Sequence, residues 1–324
     1  MDRLPKTPVV LDPCFDEPGI VRRLVEANAP YWPVQRYFAN SAEYAALSGN
    51  DAVDEAMPVA PVFRGDWHYD TPLIEGAEPI LHHQPFTEAA RRVFDGAEVV
   101  RPNIVYANLT WQLPFAQGGG HTDVPAFRGV DRTRHPITFL TIMGQSGLFE
   151  AERVNIATAV AWSYAGTDGG FEYWPEGGDA PSVVHEGHID NTAIVGDNDF
   201  MWHRVRPTGK VEDGLTFLSL DGELDRDGDD WLIRDQGETI ATFPFDKLRV
   251  SVSWKATVFA DAADARRFDE HTDDIDLDEV LRRISADLTE RDIAHRIPED
   301  PVRDPDFVRL LRDAYVREPT TSSP

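Results

Sequence analysis

Between Leu248 and Ala256 apolar and polar residues alternate without interruption. Leu248, Val250, Val252, Trp254 and Ala256 fall on one side, Arg249, Ser251, Ser253 and Lys255 on the other. A period of two belongs to an extended strand, because the apolar face of a helix recurs every three or four residues. Such a strand needs neighbours to pair with. Ile104 to Leu113 and Ile156 to Tyr164 are rich in β-branched and aromatic residues and read as strands, as do Pro136 to Met143 and Leu215 to Leu220. Gly, Asp and Pro clusters divide these runs. Helical spacing is clearest at the flanks: Ile20 to Ala27 and Thr87 to Phe94 before the strands, with Thr87 a candidate N-cap, and Leu277 to Leu288 after them. The expected fold is α+β with a mainly β core, a sandwich, jelly roll or barrel framed by helices. We expect one domain in three parts: a helical and loop segment over 1–101, the β core over 102–260, and a helical segment over 261–324.

Composition narrows the chemistry. The 324 residues suffice for a full hydrophobic core. The single cysteine, Cys14, excludes an intrachain disulfide and a thiolate metal cluster, so a bound transition metal must take His, Asp or Glu ligands. A formal net charge of -26 repels nucleic acid and anionic membranes. The same field suits a cationic ligand or simply a solvated acidic surface. There is no apolar run of membrane-spanning length, and Met1 to Pro13 lacks the pattern of a secretory signal, so the expected location is the cytoplasm.

Three His-x-Asp triplets occur: His68-Tyr69-Asp70, His121-Thr122-Asp123 and His188-Ile189-Asp190. On an extended segment the first and third residues point the same way and can grip one ion. Two imidazoles and one carboxylate on one face of an iron(II) ion leave positions open for cosubstrate and dioxygen, and the second His commonly comes much later in the chain. His121 follows a candidate strand and the run Gly118-Gly119-Gly120, and 82 positions separate it from His203, room for several strands. His188 precedes His203 by only 15 positions, and His68 lies among Pro-containing loops ahead of the strand-rich region. The favoured metal ligands are His121, Asp123 and His203; a lone histidine is otherwise most simply a surface or hydrogen-bonded residue.

The segment Gly196-Asp197-Asn198-Asp199-Phe200-Met201-Trp202-His203-Arg204-Val205 resembles the distal-histidine segment of Fe(II)/2-oxoglutarate-dependent dioxygenases. Arg249-Val250-Ser251 is similar to that family's Arg-x-Ser element, and Gly169-Gly170-Phe171-Glu172-Tyr173-Trp174-Pro175 to its Gly-Gly segment. The resemblance covers about Pro102 to Phe259. It implies a double-stranded β-helix of the jelly-roll or cupin kind, with iron(II), 2-oxoglutarate and dioxygen as cofactors. It further implies decarboxylation of 2-oxoglutarate to succinate, coupled to hydroxylation, desaturation or cyclisation of a substrate. Arg249 and Ser251 would hold the far carboxylate of 2-oxoglutarate; an Arg fork and a hydroxyl on one strand face suit that group. Arg206 and Lys255 are the other cations in position to do so. One departure stands out: His203 and Arg249 are 46 positions apart, where closer spacing is usual, so 207–247 reads as an insertion. It contains Asp221 to Asp230, read as a very acidic loop, and strand-like segments around Trp231 and Thr239.

Tyr106, Asn108, Thr110 and Gln112 share one face of the strand before the triad, lining either a pocket or the solvent. Tyr106 and Asn108 are the candidate cosubstrate contacts among them. Arg128 is a candidate for a substrate carboxylate or a plain surface residue. The expected substrate is a free small molecule, an amino acid or natural-product intermediate, with neither nucleic acid nor membrane as partner. A cupin-like metal enzyme that does without 2-oxoglutarate and a non-catalytic jelly-roll binding module are the alternatives; fold alone does not separate them.

Overall fold

The computed structural model describes residues 4–37, 59–115, 118–317 and 319. Its large antiparallel sheet contains β1 (Val9–Leu11), β2 (Trp32–Pro33), β3 (Val62–Tyr69), β5 (Val99–Thr110), β7 (Arg153–Ser163), β10 (Ala193–Gly196) and β15 (Arg249–Phe259). They lie in the order β1-β10-β7-β15-β5-β3-β2, with β4 (Thr71–Pro72) beside β3 and β6 (Ala126–Phe127) beside β7. The alternating segment that defines β15 is thus central, paired with β5 on one side and β7 on the other. A smaller sheet has β8 (Phe171–Tyr173) between β9 (Val183–His185) and β11 (His203–Val205). After β5 the chain passes back and forth between the two sheets, which makes the core a double-stranded β-helix with flanking helices. Strands from the first hundred residues, β1 to β4, are part of the same large sheet.

Both faces of β15 are buried, polar one included. The apolar face, with Val250, Val252, Trp254 and Ala256, packs with α1 (Gly19–Ala27) and α3 (Gln84–Val93) into the main core. Trp254 anchors that packing: its indole N–H donates to the carbonyl of Leu81 in α2 (Glu78–Leu81) at 2.8 Å, and its ring centroid lies 5.6 Å from that of Phe86. Trp162, Phe171, Tyr173, Ile194 and Met201 fill a second cluster, drawn from both sheets.

Several expected boundaries move. Pro136 to Met143 is not a strand but the start of helix α4 (Ile137–Ser146). Its side chains are apolar nearly all round because the helix is buried, and periodicity cannot separate a buried helix from a buried strand. Pro136 precedes it and Gly147 ends it in the left-handed region at φ 70°. Leu215 to Leu220 forms no strand, only one bridge from Leu218 to Val59. The acidic stretch from Asp221 is not a loop: with the rest of the insertion it makes the meander β12 (Glu223–Asp227), β13 (Asp230–Asp235) and β14 (Glu238–Pro244). Thr87 lies inside α3, whose N-cap is His83. The strand expected to reach Leu113 ends at Thr110, and Gln112 sits beyond it at φ 42°.

The C-terminal helices α5 (Ala262–Asp269), α6 (Leu277–Glu290) and α7 (Pro305–Tyr315) each start at an aspartate whose carboxylate accepts a backbone N–H. α4, α6 and α7 share a cluster around Phe139, Phe149, Ile284 and Leu311. Removing the fully buried Ile284 side chain should therefore cost more than removing a cap. We expect Ile284→Ala to lower the unfolding free energy by about 2–5 kcal/mol and Asp276→Ala by about 1 kcal/mol, measured by urea unfolding.

Candidate metal centre and its anion pocket

The triplet His121-Thr122-Asp123 is tied to β11 by backbone bonds. His121 N–H donates to His203 O and His203 N–H to His121 O, each at 2.9 Å, while Asp123 N–H donates to Asn198 O at 2.9 Å. This bridge brings together side chains 82 positions apart. The two imidazole centroids are 4.4 Å apart, and ligand atoms of His121, Asp123 and His203 all lie within 4.8 Å of one another. Among the described residues no other set of His, Cys, Asp and Glu forms such a group.

The donor states suit a divalent metal. His203 Nδ1 lies 2.9 Å from the carbonyl of Met201, so it carries the proton and Nε2 keeps its lone pair. Burial of the ring among its neighbours pushes the His121 pKa down to about 3, helped by the neighbouring His203, although His121 as a whole residue is exposed. Burial also lowers His203. Burial acts the other way on Asp123, but the Lys255 ammonium and the two histidines outweigh it and hold the carboxyl well below its usual range. At neutral pH the group offers two neutral imidazoles and one carboxylate, the set an iron(II) facial site uses.

Lys255 is not an anion anchor. Its ammonium sits 2.7 Å from Asp123 Oδ2, and burial, which would lower its pKa, is outweighed chiefly by Asp123. Arg206 is half exposed and faces Glu172, to which Arg204 donates at 2.8 Å. Arg249 differs from both. It is 1% exposed, and its Nε donates to Gly169 O at 2.6 Å. Nη2 has no partner among the described residues. Asp168 is felt electrostatically, but its oxygens take the Tyr164 hydroxyl and, at 2.6 Å, the Gly209 N–H. Burial lowers the guanidinium pKa only to about 10, so it stays charged. A buried charge that makes no direct ion pair among the described residues is costly even with Asp168 nearby; removing the partner of a buried ion costs of order 3–5 kcal/mol. The hydroxyl of Thr208 is likewise buried without a partner among the described residues. Arg249 and Thr208, both donors, fit an anionic ligand that brings a carboxylate.

Cross-strand register sets the rest of the pocket. Arg249 pairs with Thr110, Ser251 with Asn108 and Ser253 with Tyr106, so all share the face of β15 on which Lys255 meets Asp123 and Arg249 meets Gly169. Tyr106 also carries the Arg64 guanidinium 3.7 Å above its ring centroid. Arg128 is neither a surface nor a substrate residue: it is buried in ion pairs with Asp264 at 2.7 Å and Asp273 at 3.0 Å. The other two triplets are structural. His68 Nδ1 and the Asp70 carboxylate bond to Asn103, at 2.8 and 3.0 Å, and Asp190 accepts the Tyr164 N–H at 2.9 Å. The sequence reading missed the partners of Asp123, Lys255 and Thr158, and the setting of Arg249 among Tyr164, Asp168, Gly169 and Thr208. The one available signal was that Lys255 shares the period-two face of Arg249.

No protein-family model matches this chain, and no curated protein does. Solved structures similar to it include an oxidoreductase of the 2OG-Fe(II) oxygenase family from Burkholderia pseudomallei, 13% identical over 78% of this chain and 84% of that one, with a TM-score of 0.39. A Pseudomonas putida prolyl-4-hydroxylase is 10% identical over 78% and 92%, with a TM-score of 0.34. HygX from Streptomyces hygroscopicus, solved with nickel and 2-oxoglutarate bound, is 10% identical over 78% and 82%, with a TM-score of 0.32. At that distance the assignment rests on the geometry of this site alone.

Gly169 tests how tightly the anion pocket is built. It sits at φ 63°, and a Cβ there would lie 2.7 Å from Thr208 Oγ1 and 2.8 Å from Arg249 Cδ. Gly169→Ala is expected to cost about 1–3 kcal/mol through strain and overpacking. Gly147→Ala, at φ 70° with nothing within 4 Å, should cost about 1 kcal/mol or less. Urea midpoints of the two variants make the comparison.

Proposed function

We propose that this chain is an iron(II)- and 2-oxoglutarate-dependent oxygenase acting on a small molecule. The observation that carries the reading is the buried guanidinium of Arg249, whose Nη2 has no partner among the described residues, on the same strand face that reaches the His121, Asp123 and His203 cluster through Lys255. A dicarboxylate cosubstrate would supply the anion that Nη2 faces, which a metal enzyme without one would not.

In this reading His121, Asp123 and His203 bind the iron, and Arg249 with Ser251 grips the far carboxylate of 2-oxoglutarate. Asn108 and Tyr106, in register with Ser251 and Ser253, line the cosubstrate's path. Bound iron, 2-oxoglutarate and dioxygen together supply the oxidising chemistry, releasing succinate and carbon dioxide as a substrate C–H bond is oxidised. The protein's part is to orient both molecules and to keep the imidazoles neutral. Asp123 fills the coordination position a halide would need, which favours hydroxylation, with desaturation or ring closure as variants, over chlorination. Among the described residues no helix is long and apolar enough to cross a membrane, in keeping with a free small-molecule substrate. An amino acid or natural-product intermediate in the cytoplasm remains the expected setting.

Three measurements test this. His121→Ala and His203→Ala should each abolish stoichiometric iron(II) binding under anaerobic conditions; full retention by both would sink the metal assignment. Arg249→Ala should weaken 2-oxoglutarate binding by roughly ten- to several-hundred-fold, the loss of a charge-assisted bidentate contact. Unchanged affinity, or turnover without succinate, would instead favour a cupin-like enzyme that uses no 2-oxoglutarate. Turnover in chloride-rich buffer under labelled dioxygen should give a product carrying labelled oxygen or lacking two hydrogens, and mass spectrometry showing added chlorine would overturn the reaction type.

A further inference from the structure

The two oxygens of the Asp123 carboxylate have different surroundings. Oδ1 faces the His203 ring, 3.7 Å from Nε2. Oδ2 receives Lys255 Nζ at 2.7 Å and the Thr158 hydroxyl at 3.3 Å. These two donors are register partners on β15 and β7, side by side on the floor of the barrel. Neither is loose: Thr158 is 1% exposed, and the Lys255 side chain is 13% exposed.

We propose that Lys255, assisted by Thr158, is a positioning residue that reserves Oδ2 and leaves Oδ1 as the one oxygen Asp123 offers to a metal ion. The inference rests on reading the His121, Asp123 and His203 cluster as a metal centre. A carboxylate can bind a cation through one oxygen or chelate it through both. Chelation here would strip Oδ2 from a buried ammonium whose direct carboxylate partner among the described residues is Asp123. Asp199 is the other carboxyl that Lys255 feels; it is buried and makes no hydrogen bond to the ammonium. Binding through Oδ1 alone keeps a coordination position open for a ligand that is not protein. Partners beyond the ligand atoms orient them and tune the ion in just this manner.

A second consequence concerns charge. The ammonium of Lys255 cancels the negative charge of Asp123, so a divalent ion held by this carboxylate and two neutral imidazoles presents nearly its full double charge to an incoming anion. Lys255 therefore acts through Asp123 to favour an anionic cosubstrate, without touching that cosubstrate itself.

Cobalt(II) is a suitable probe, because its visible absorption weakens as coordination number rises. Wild type, Lys255→Met, Lys255→Arg and Thr158→Val would be titrated anaerobically with cobalt(II), then with 2-oxoglutarate. Lys255→Met should still bind cobalt, with weaker and shifted bands as Asp123 chelates, and its cobalt form should bind 2-oxoglutarate several-fold more weakly. Lys255→Arg should restore the wild-type band shape, and Thr158→Val should shift it a little in the Met direction, which keeps the test available if Lys255→Met does not fold. Superimposable spectra and equal 2-oxoglutarate affinities for wild type, Lys255→Met and Thr158→Val would overturn the proposal. Failure of the wild-type protein to bind cobalt would overturn the metal reading beneath it, a distinct result.

Discussion

The interior face of β15 is where this structure commits its charge, and the rest of the barrel is arranged around that commitment. Arg249 and Lys255 stand six positions apart on one strand face that is buried along its length. Burying a cation is tolerated only where an anion or a set of acceptors meets it. Lys255 meets Asp123. Arg249 meets a carbonyl and is left with an unpartnered Nη2. One cation is thus directly ion-paired, and the other, among the described residues, is not. The opposite face, with Trp254 and its valines packed against helices, anchors the strand in the main core.

The second organising contact is made by backbone. Reciprocal N–H to carbonyl bonds between His121 and His203 place the imidazoles side by side before any ion is considered. Backbone geometry at this bridge leaves the side chains few ways to face. Met201 fixes one ring by accepting from Nδ1, and Lys255 and Thr158 fix the carboxylate. A pocket preorganised in this way loses little conformational freedom on binding.

How far these arrangements could be read from sequence depends on the kind of signal. β15 was legible because alternation survives burial of both faces when the inner face is polar. The triplet at His121 was separable from its two rivals by chain distance, since returning across a sheet takes residues. The meander strands around Trp231 and Thr239 were legible from their composition, but the acidic residues ahead of them concealed β12, because charge on a hairpin facing solvent resembles charge in a loop. α4 was misread for a physical reason: Ile137, Phe139, Leu140, Ile142 and Met143 are all buried, so no polar face remains to reveal the period. Arg128 looked like a free loop cation because its partners, Asp264 and Asp273, lie more than a hundred residues away. The same holds for Lys255 and Asp123. Pairing across a fold leaves no mark at either position in a single sequence.

The meander between β11 and β15 changes what sequence distance means in this chain. Its buried residues Leu224, Trp231, Ile233 and Phe243 join the main core rather than forming one of their own, and a bridge ties Leu224 to Tyr31. Both points where it joins the barrel are pinned, by the Thr208 N–H to Leu113 on one side and by β15 on the other. The entropy of closing a loop grows only with the logarithm of its length, about 0.6 kcal/mol for each doubling. An added module between two pinned ends is therefore thermodynamically inexpensive, and its own packing can offset that cost. His203 and Arg249 can drift apart along the chain while the strands that carry them keep their places. A pattern search that fixes their interval will pass over proteins built this way, whereas one that asks for strand register will not.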